Sequence, residues 1–486
     1  MSANTEQTAR RAPAEGATDQ WTQRVQPSPA GPASPEEQTS STSPPTVRLP
    51  YPLQRLRFSM RQSSFFLQTQ RRLGDTFMVR GVLDDWVTIT SHPSHVRSLF
   101  TGSPELTPSL TGESPLRPIV GPNSVLTLLG ARHMRQRKLL LPPFHGEAVE
   151  RYVAMIEAAA EREIDSWPLH TQFALGPRMQ AITLQVIMSG IFGVEGEPRQ
   201  GSVEYQLREE IRRVVSASSS QLVLVAEMLL LRGKKRRSRI INSVMRRTDE
   251  LLYELIAARR TEAAEHRGTP AGGSILSLLL TATDEQGQAL TDEELRDELV
   301  TLVLAGHETT ANSLAWAFER LLRNRSAYDR LRELVRAGDG HSPEADAYVE
   351  ACIHEAMRVR PVIPSVGRRV TVPWRLGRYT VPAGTPIALS ILLLHHREDV
   401  YPQPFAFTPE RFLGVKPGTY TWIPFGGGIR RCLGATLAMA EQRVVLRAIA
   451  RRTDMHAPEL RPERMLHRNV TMVPAQGAQV LIDARS

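Results

Sequence analysis

Apolar residues recur at helical spacing over long stretches of this chain, and at strand spacing only over short ones. Between Glu147 and Trp167 the residues Val153, Ile156, Ala160 and Ile164 share a stripe, which predicts an amphipathic helix. Arg178 to Phe192 is strongly apolar and predicts a second helix, and Ile240 to Arg260 an amphipathic third. Another helix starts at Thr291. Thr291 suits the N-cap, acids fill the first turn, and Glu294 can close a capping box. Its pattern runs to about Arg323, and some thirty helical residues would measure about 45 Å, long enough to be a central element. Ala347 to Arg358 predicts a further helix ended by Pro361, and Ala435 to Arg452 a final one. Thr76-Phe77-Met78-Val79 and Trp86-Val87-Thr88-Ile89-Thr90, with Gly81 and Asp84-Asp85 between them, read as a hairpin. Val362 to Ile391 is strand-like with Pro and Gly turns. The sum is a mainly α protein with small β-sheets and no internal repeat.

Residues 1–46 break the pattern. They are rich in Pro, Ser, Thr, Gln and Glu, and carry too few large apolar residues to offset the entropy of ordering them. They are expected to be a disordered N-terminal segment, and residues 47–486 a single large domain. With 41% hydrophobic residues in a chain of 486, a large core around a cofactor is within reach.

The net charge of +9 admits anionic partners or a solvated basic surface. Only Cys352 and Cys432 are present, too few for a disulfide framework or a zinc ribbon. The first residues contain no apolar secretory core, and the longest apolar stretch, Leu222 to Leu231, is too short to span a bilayer. The expectation is a cytoplasmic protein with no transmembrane segment. The densest basic run, Arg232 to Arg239, reads as a solvated loop between two helices. Contact with anionic lipid or with a substrate carboxylate is the other use. It lacks the interleaved aromatics of a nucleic-acid site.

Candidate chemistry concentrates at Pro424-Phe425-Gly426-Gly427-Gly428-Ile429-Arg430-Arg431-Cys432-Leu433-Gly434. A thiol just ahead of a helix N-terminus meets outward N–H groups, and Arg430 and Arg431 add positive charge; all favour thiolate. Glycines let backbone pass close to a flat ligand. Arg430 suits a carboxylate, and Phe425 can shield the sulfur. A phosphate loop, a redox cysteine and a loop without function compete with a haem ligand on these grounds alone. No Lys-Ser/Thr follows, as a phosphate loop requires.

The spacing Phe425-x-x-Gly428-x-Arg430-x-Cys432-x-Gly434 resembles the haem loop of the cytochrome P-450 family at each defining position. Three further segments resemble that family's motifs in the expected order. Ala305-Gly306-His307-Glu308-Thr309-Thr310, an odd polar centre for an apolar helix, is similar to its oxygen-activation motif. Glu355-Ala356-Met357-Arg358 matches its Glu-x-x-Arg, and Pro409-Glu410-Arg411-Phe412 carries the arginine that joins that pair. His133 and Arg137, one helical turn apart in His133-Met134-Arg135-Gln136-Arg137, match a propionate contact.

The resemblance covers about residues 50–482. It implies the P-450 fold around a buried haem b, with Cys432 as axial ligand of the iron. It implies His133, Arg137, Arg368 and Arg430 near the propionates, with Arg369 an alternative to Arg368. Phe425, Gly426 and Gly434 shape the haem loop, and Ala305 and Gly306 give room over the haem. Thr309 would hydrogen-bond the bound dioxygen species, and Glu308 would help relay protons.

The activity implied is monooxygenation of a hydrophobic small molecule by O₂, with a fatty acid or terpenoid-like substrate by analogy. The chain has no flavin or iron–sulfur motif, so electrons would come from a ferredoxin and its NAD(P)H-dependent reductase. Arg132, Arg135, Lys138, Lys416 and Arg431 are expected to form the basic face for it. The pocket would be lined by residues 105–128, Val303, Ala305, Thr310, Val362 to Val366 and Val470 to Val473. A peroxygenase or isomerase, a haem-binding protein without turnover, and a nucleic-acid binder are the rival readings.

Overall fold

The computed structural model describes residues 30–34, 42–81, 85–114, 116–194, 196, 198–218, 234–265, 273–468 and 470–486. In chain order the helices are α1 Tyr51–Leu73, α2 Pro93–Thr101, α3 Arg117–Val120, α4 Gly130–Leu140, α5 Glu147–Asp165, α6 Leu175–Phe192 and α7 Val203–Ser218. They continue as α8 Lys234–Glu265, α9 Ile275–Thr281, α10 Asp292–Leu321, α11 Arg325–Arg336, α12 Pro343–Val359, α13 Ile391–His395 and α14 Ala435–Arg452.

The strands are β1 Ala30–Pro32, β2 Thr76–Arg80, β3 Trp86–Thr90, β4 Phe173–Ala174, β5 Ser365–Arg369 and β6 Trp374–Leu376. They continue as β7 Tyr379–Val381, β8 Pro386–Ser390, β9 Thr453–His456, β10 Met465–Arg468, β11 Thr471–Pro474 and β12 Gln479–Arg485. Four small sheets result, ordered β1-β6-β7, β2-β3-β8-β5, β4-β12-β9 and β10-β11. The chain is mainly α with small sheets, as the pattern predicts.

Helix α10 is the axis of the fold. Thr291 and Glu294 form the expected capping box, with the Thr291 hydroxyl accepting from the Glu294 N–H and the Glu294 carboxylate accepting from the Thr291 N–H. From Thr310 to Leu321 every residue is buried, so this half is enclosed on all sides rather than on one face. It joins one large core with α5, α6, α12 and α14.

Other elements agree with the pattern and differ at their edges. Glu147–Asp165 is a helix, but Val153 is 37% exposed while Ile156, Ala160 and Ile164 are fully buried. The stripe is therefore set by the last three. Helix α8 extends beyond both expected ends, and α12 begins at Pro343 because Ser342 caps it from its side chain.

One expectation needs correction. Residues 1–46 are not wholly outside the fold: β1 pairs antiparallel with β6, Thr42 bridges Tyr379, and Thr46 bridges Met78. Short segments join existing sheet edges mainly through backbone bonds, which hydrophobic patterning does not register. Leu222 to Leu231 lie outside the described residues, and the basic run Arg232 to Arg239, expected as a loop, is helical from Lys234 at the start of α8, its side chains lying outside the described ones. Among those described, no helix is long and apolar enough to cross a membrane.

Candidate functional site

The thiol loop is folded by its own backbone. The Cys432 N–H donates to the Phe425 carbonyl at 2.9 Å, that of Gly426 to Ile423 at 3.0 Å, and that of Arg431 to Gly428 at 3.1 Å. Gly426 and Gly428 have φ of +68° and +62°, which glycine adopts without strain. The loop also lies close on α2. A Cβ at Gly427 would stand 2.2 Å from the Phe100 ring, and one at Gly428 would stand 2.3 Å from the Phe100 carbonyl oxygen. Phe425 packs edge-on against Trp422 at 6.1 Å.

Cys432 is open to solvent, whereas Cys352 is buried. Enough protein still surrounds Cys432 for desolvation to raise its thiol pKa, and this outweighs the Gly434 N–H, Arg431 and Arg137, which lower it. The thiolate-favouring groups expected from sequence are thus present. By themselves they do not ionise the sulfur; a bound metal cation does so outright.

Four cationic or titratable side chains converge beside the loop. His133 and Arg137 come from α4, Arg368 from β5, and Arg430 from the loop. Burial pushes His133 down to about 4, with Arg430, Arg137 and Arg368 adding repulsion. Arg430 is pushed down to about 10 by burial, then by Arg368 and Arg137, and Arg368 down to about 10 by burial alone. The His133 Nδ1 is buried without a partner.

Among the described residues no carboxylate pairs with any of the four. Arg368 donates only to the neighbouring Gly367 carbonyl and lies over the Phe100 ring at 5.5 Å. Arg430 donates to the carbonyls of Val125 and Leu128. Arg369 points elsewhere: it holds Glu113 with two bonds, at 2.9 and 2.8 Å. An open thiol beside buried and half-buried cations without carboxylate partners fits a dianionic iron porphyrin, whose metal takes the sulfur and whose carboxylates supply the missing charge.

Helix α10 presents the second group. Ala305 is exposed in the middle of this otherwise packed helix, so the helix borders an open space there. The Thr309 hydroxyl donates to the Ala305 carbonyl one turn back. Glu308 accepts from the Thr471 hydroxyl of β11 at 3.1 Å. Gly306 faces away from this surface: a Cβ there would meet Ile187 of α6 at 3.1 Å, so its smallness serves close helix packing. His307, buried and pushed down to about 4 by desolvation, donates from Nε2 to the Gln180 carbonyl at 3.1 Å. Its own carbonyl accepts from Thr183 at 3.1 Å. Together they pin α10 to α6 beside the motif.

Behind the loop sits a fully buried ion network. Arg358 donates to both Glu355 oxygens, at 2.6 and 2.8 Å, and to the carbonyls of His395, Pro404 and Ala406. Arg411 adds a bond to Glu355 at 3.1 Å. His395 Nε2 accepts from the Ile423 N–H at 3.0 Å, so the network anchors the start of the thiol loop.

The expected basic face is reduced. Arg135 is held by Asp284 at 2.6 Å and Glu294 at 3.1 Å, and Lys138 by Glu285 at 2.7 Å. These pairs tie α4 to the start of α10 rather than standing free. Among the described residues Arg132, Lys416 and Arg431 pair with no carboxylate.

Sequence reasoning missed Phe100, and it placed Val125, Leu128 and Thr471 only in the pocket lining, not as partners of Arg430 and Glu308. Nothing local marks them; each matters only through a contact distant in sequence.

Between α6, α7, α8 and α10 lies an apolar cavity of about 20 Å³, lined by Phe192, Leu207, Met245, Leu252, Leu299 and Val303 among others.

The family model described as Cytochrome P450 matches residues 43–482. The putative cytochrome P450 135B1 of Mycobacterium bovis is 35% identical over 444 residues, 91% of each chain. The putative cytochrome P450 137 of Mycobacterium tuberculosis is 38% identical over 398 residues, 81% of this chain and 80% of that one. Among solved structures, the retinoic-acid-bound cyanobacterial CYP120A1 superposes with a TM-score of 0.74 at 22% identity, covering 92% of this chain and all of that one. The cytochrome P450DA haem domain reaches 0.75 at 21% identity, covering 92% of this chain and 98% of that one. The chain therefore belongs to the cytochrome P450 family and is a haem b monooxygenase on that family's fold.

Proposed function

We propose that this protein inserts one oxygen atom of O₂ into an apolar molecule of the fatty-acid or terpenoid kind, and takes its electrons from a separate ferredoxin and reductase. The observation that carries the reading is the pairing of an open thiol and carboxylate-free cations with a polar break in an apolar helix. Cys432 Sγ would ligate the haem iron. His133, Arg137, Arg368 and Arg430 hold the haem carboxylates, and the close passage of Gly427 and Gly428 over Phe100 fixes the loop around them. When bound, the haem supplies O₂ binding and activation, promoted by electron donation from the thiolate.

The residues of α10 manage protons. Thr309 Oγ1 holds its proton on the Ala305 carbonyl, one rotation from the open side of the helix. Glu308, tethered by Thr471, is the acid that delivers protons toward Thr309. His307 and Thr183 hold that stretch of helix in place. The apolar lining above favours a hydrophobic substrate. Two cysteines cannot hold an iron–sulfur cluster in this chain, which supports an external donor. Arg132, Lys416 and Arg431 are the groups available to an acidic partner.

The test is reconstitution with a ferredoxin, its reductase and NADPH against a panel of fatty acids and terpenes. The readouts are the spin-state shift on binding and oxygenated product by mass spectrometry. Product that needs both protein partners and O₂ supports the reading. Product formed at full rate from hydrogen peroxide alone would overturn the external-donor part and favour a peroxygenase.

A further inference from the structure

Before a kink at Arg61, helix α1 sets three large apolar side chains on its outer side. Gln54 and Ser63 are buried, bonded to the Arg80 carbonyl at 2.7 Å and to His467 Nε2 at 2.7 Å. Leu53, Leu56 and Met60 instead point outward, 51%, 54% and 65% exposed. They are spaced at i, i+3 and i+7, so they form one stripe on the solvent side. A single exposed leucine needs no explanation, but three large apolar side chains aligned on the outer side of one helix do.

The charge around the stripe has one sign. From Val47 to Gly74 the sequence contains no Asp or Glu. Arg48, Arg55, Arg57 and Arg61 lie in and beside the stripe, and among the described residues none pairs with a carboxylate. At the N-terminal end of α1 the β2–β3 hairpin adds Trp86, partly exposed, with the Arg80 guanidinium 5.1 Å over its ring. A Tyr51 hydroxyl bond to the Gly81 carbonyl, at 3.2 Å, ties hairpin and helix together.

We propose that this face is a docking surface for a lipid bilayer that contains anionic phospholipid. An apolar stripe enters the boundary of the acyl chains, arginines meet the headgroup phosphates, and an indole sits at the interface. A protein partner would need acids to match the arginines and a groove to match a convex helix; a bilayer meets both needs without shaping. Docking here lays the protein on the membrane, and among the described residues no helix is long and apolar enough to span it. It also brings an apolar reservoir close to the β10–β11 hairpin, which touches α1 through Ser63 and carries Thr471.

The experiment uses full-length, haem-loaded protein and sedimentation with vesicles of phosphatidylcholine, with and without phosphatidylglycerol. The expected result is binding to the anionic vesicles, weaker by about tenfold or more on neutral ones. The triple variant Leu53→Ser, Leu56→Ser, Met60→Ser should lose about tenfold or more of that binding while it keeps its carbon monoxide spectrum. An environment-sensitive fluorophore on Leu56→Cys should shift to the blue when anionic vesicles are added, and one on Leu169→Cys, in the loop after α5, should not. Wild-type protein left in the supernatant overturns the proposal. So do a triple variant that binds as tightly as wild type, an unshifted Leu56→Cys label, and self-association through this face without vesicles.

Discussion

The Glu308 carboxylate accepts a hydrogen bond from the Thr471 hydroxyl at 3.1 Å, and so joins the central helix to the β10–β11 hairpin beside the site. The bond holds the proposed proton carrier in one orientation. Glu308→Gln should lower product formation about a hundredfold, the usual scale for losing a general acid. Thr471→Val should cost only severalfold, because it frees the carboxylate without removing it. Product formed per NADPH consumed is the measurement. Equal losses in the two variants would mean that Glu308 acts as a structural acceptor.

The Gly427 and Gly428 contacts with Phe100 differ in kind. Gly427→Ala drives a methyl into a ring, and Gly428→Ala drives one into a backbone carbonyl at positive φ. Each should destabilise the haem-loaded protein by about 1–3 kcal/mol. Adding Phe100→Ala should recover much of the first loss and little of the second. Thermal melting of the two double variants checks this.

Breaking the buried Glu355–Arg358 pair leaves an uncompensated charge. Arg358→Ala should cost about 3–5 kcal/mol and lower haem content, since the network anchors Ile423 and the loop that follows. Urea midpoint and haem-to-protein ratio read the two effects separately.

Stability should depend on pH in two opposite ways. His307 is pushed down to about 4 by burial, so the folded state favours its neutral form. Its contribution is complete above the unfolded value near 6.5 and is lost as pH falls through 4, on the order of 3 kcal/mol. Glu441 is pushed up to about 8 by burial alone. Its neutral form is favoured, so its contribution is complete below about 4.5 and is lost as pH rises through 8. His307→Gln should flatten the acid side of the stability profile and Glu441→Gln the alkaline side. Denaturant titrations from pH 4 to 9 measure both slopes; unchanged slopes would contradict these two sources.

The fold class, the hairpin, the capped central helix and the final helix were legible because each rests on local periodicity or capping. The motif residues were legible through their spacing. Side-chain direction separates the two arginines that the spacing left open: Arg368 turns inward and Arg369 outward, because alternate residues of β5 face opposite sides. Direction also moved Gly306 from the open side to the α6 contact, and took Arg135 and Lys138 out of the free basic face. Pairing partners distant in sequence leave no local trace, so the Phe100 contact with the loop and the Thr471 bond to Glu308 emerge only in three dimensions. The sheet-forming pieces of residues 1–46 stayed hidden because their bonds are made mainly by the backbone.

The most direct test of the account is the spectrum of dithionite-reduced protein with carbon monoxide, for wild type beside Cys432→Ser. The account predicts that the Soret band of wild type moves to the long wavelength that marks a thiolate-ligated haem, and that the variant lacks this band while remaining folded. A wild-type protein without the band, or a Cys432→Ser variant that keeps it, would contradict Cys432 as the axial ligand.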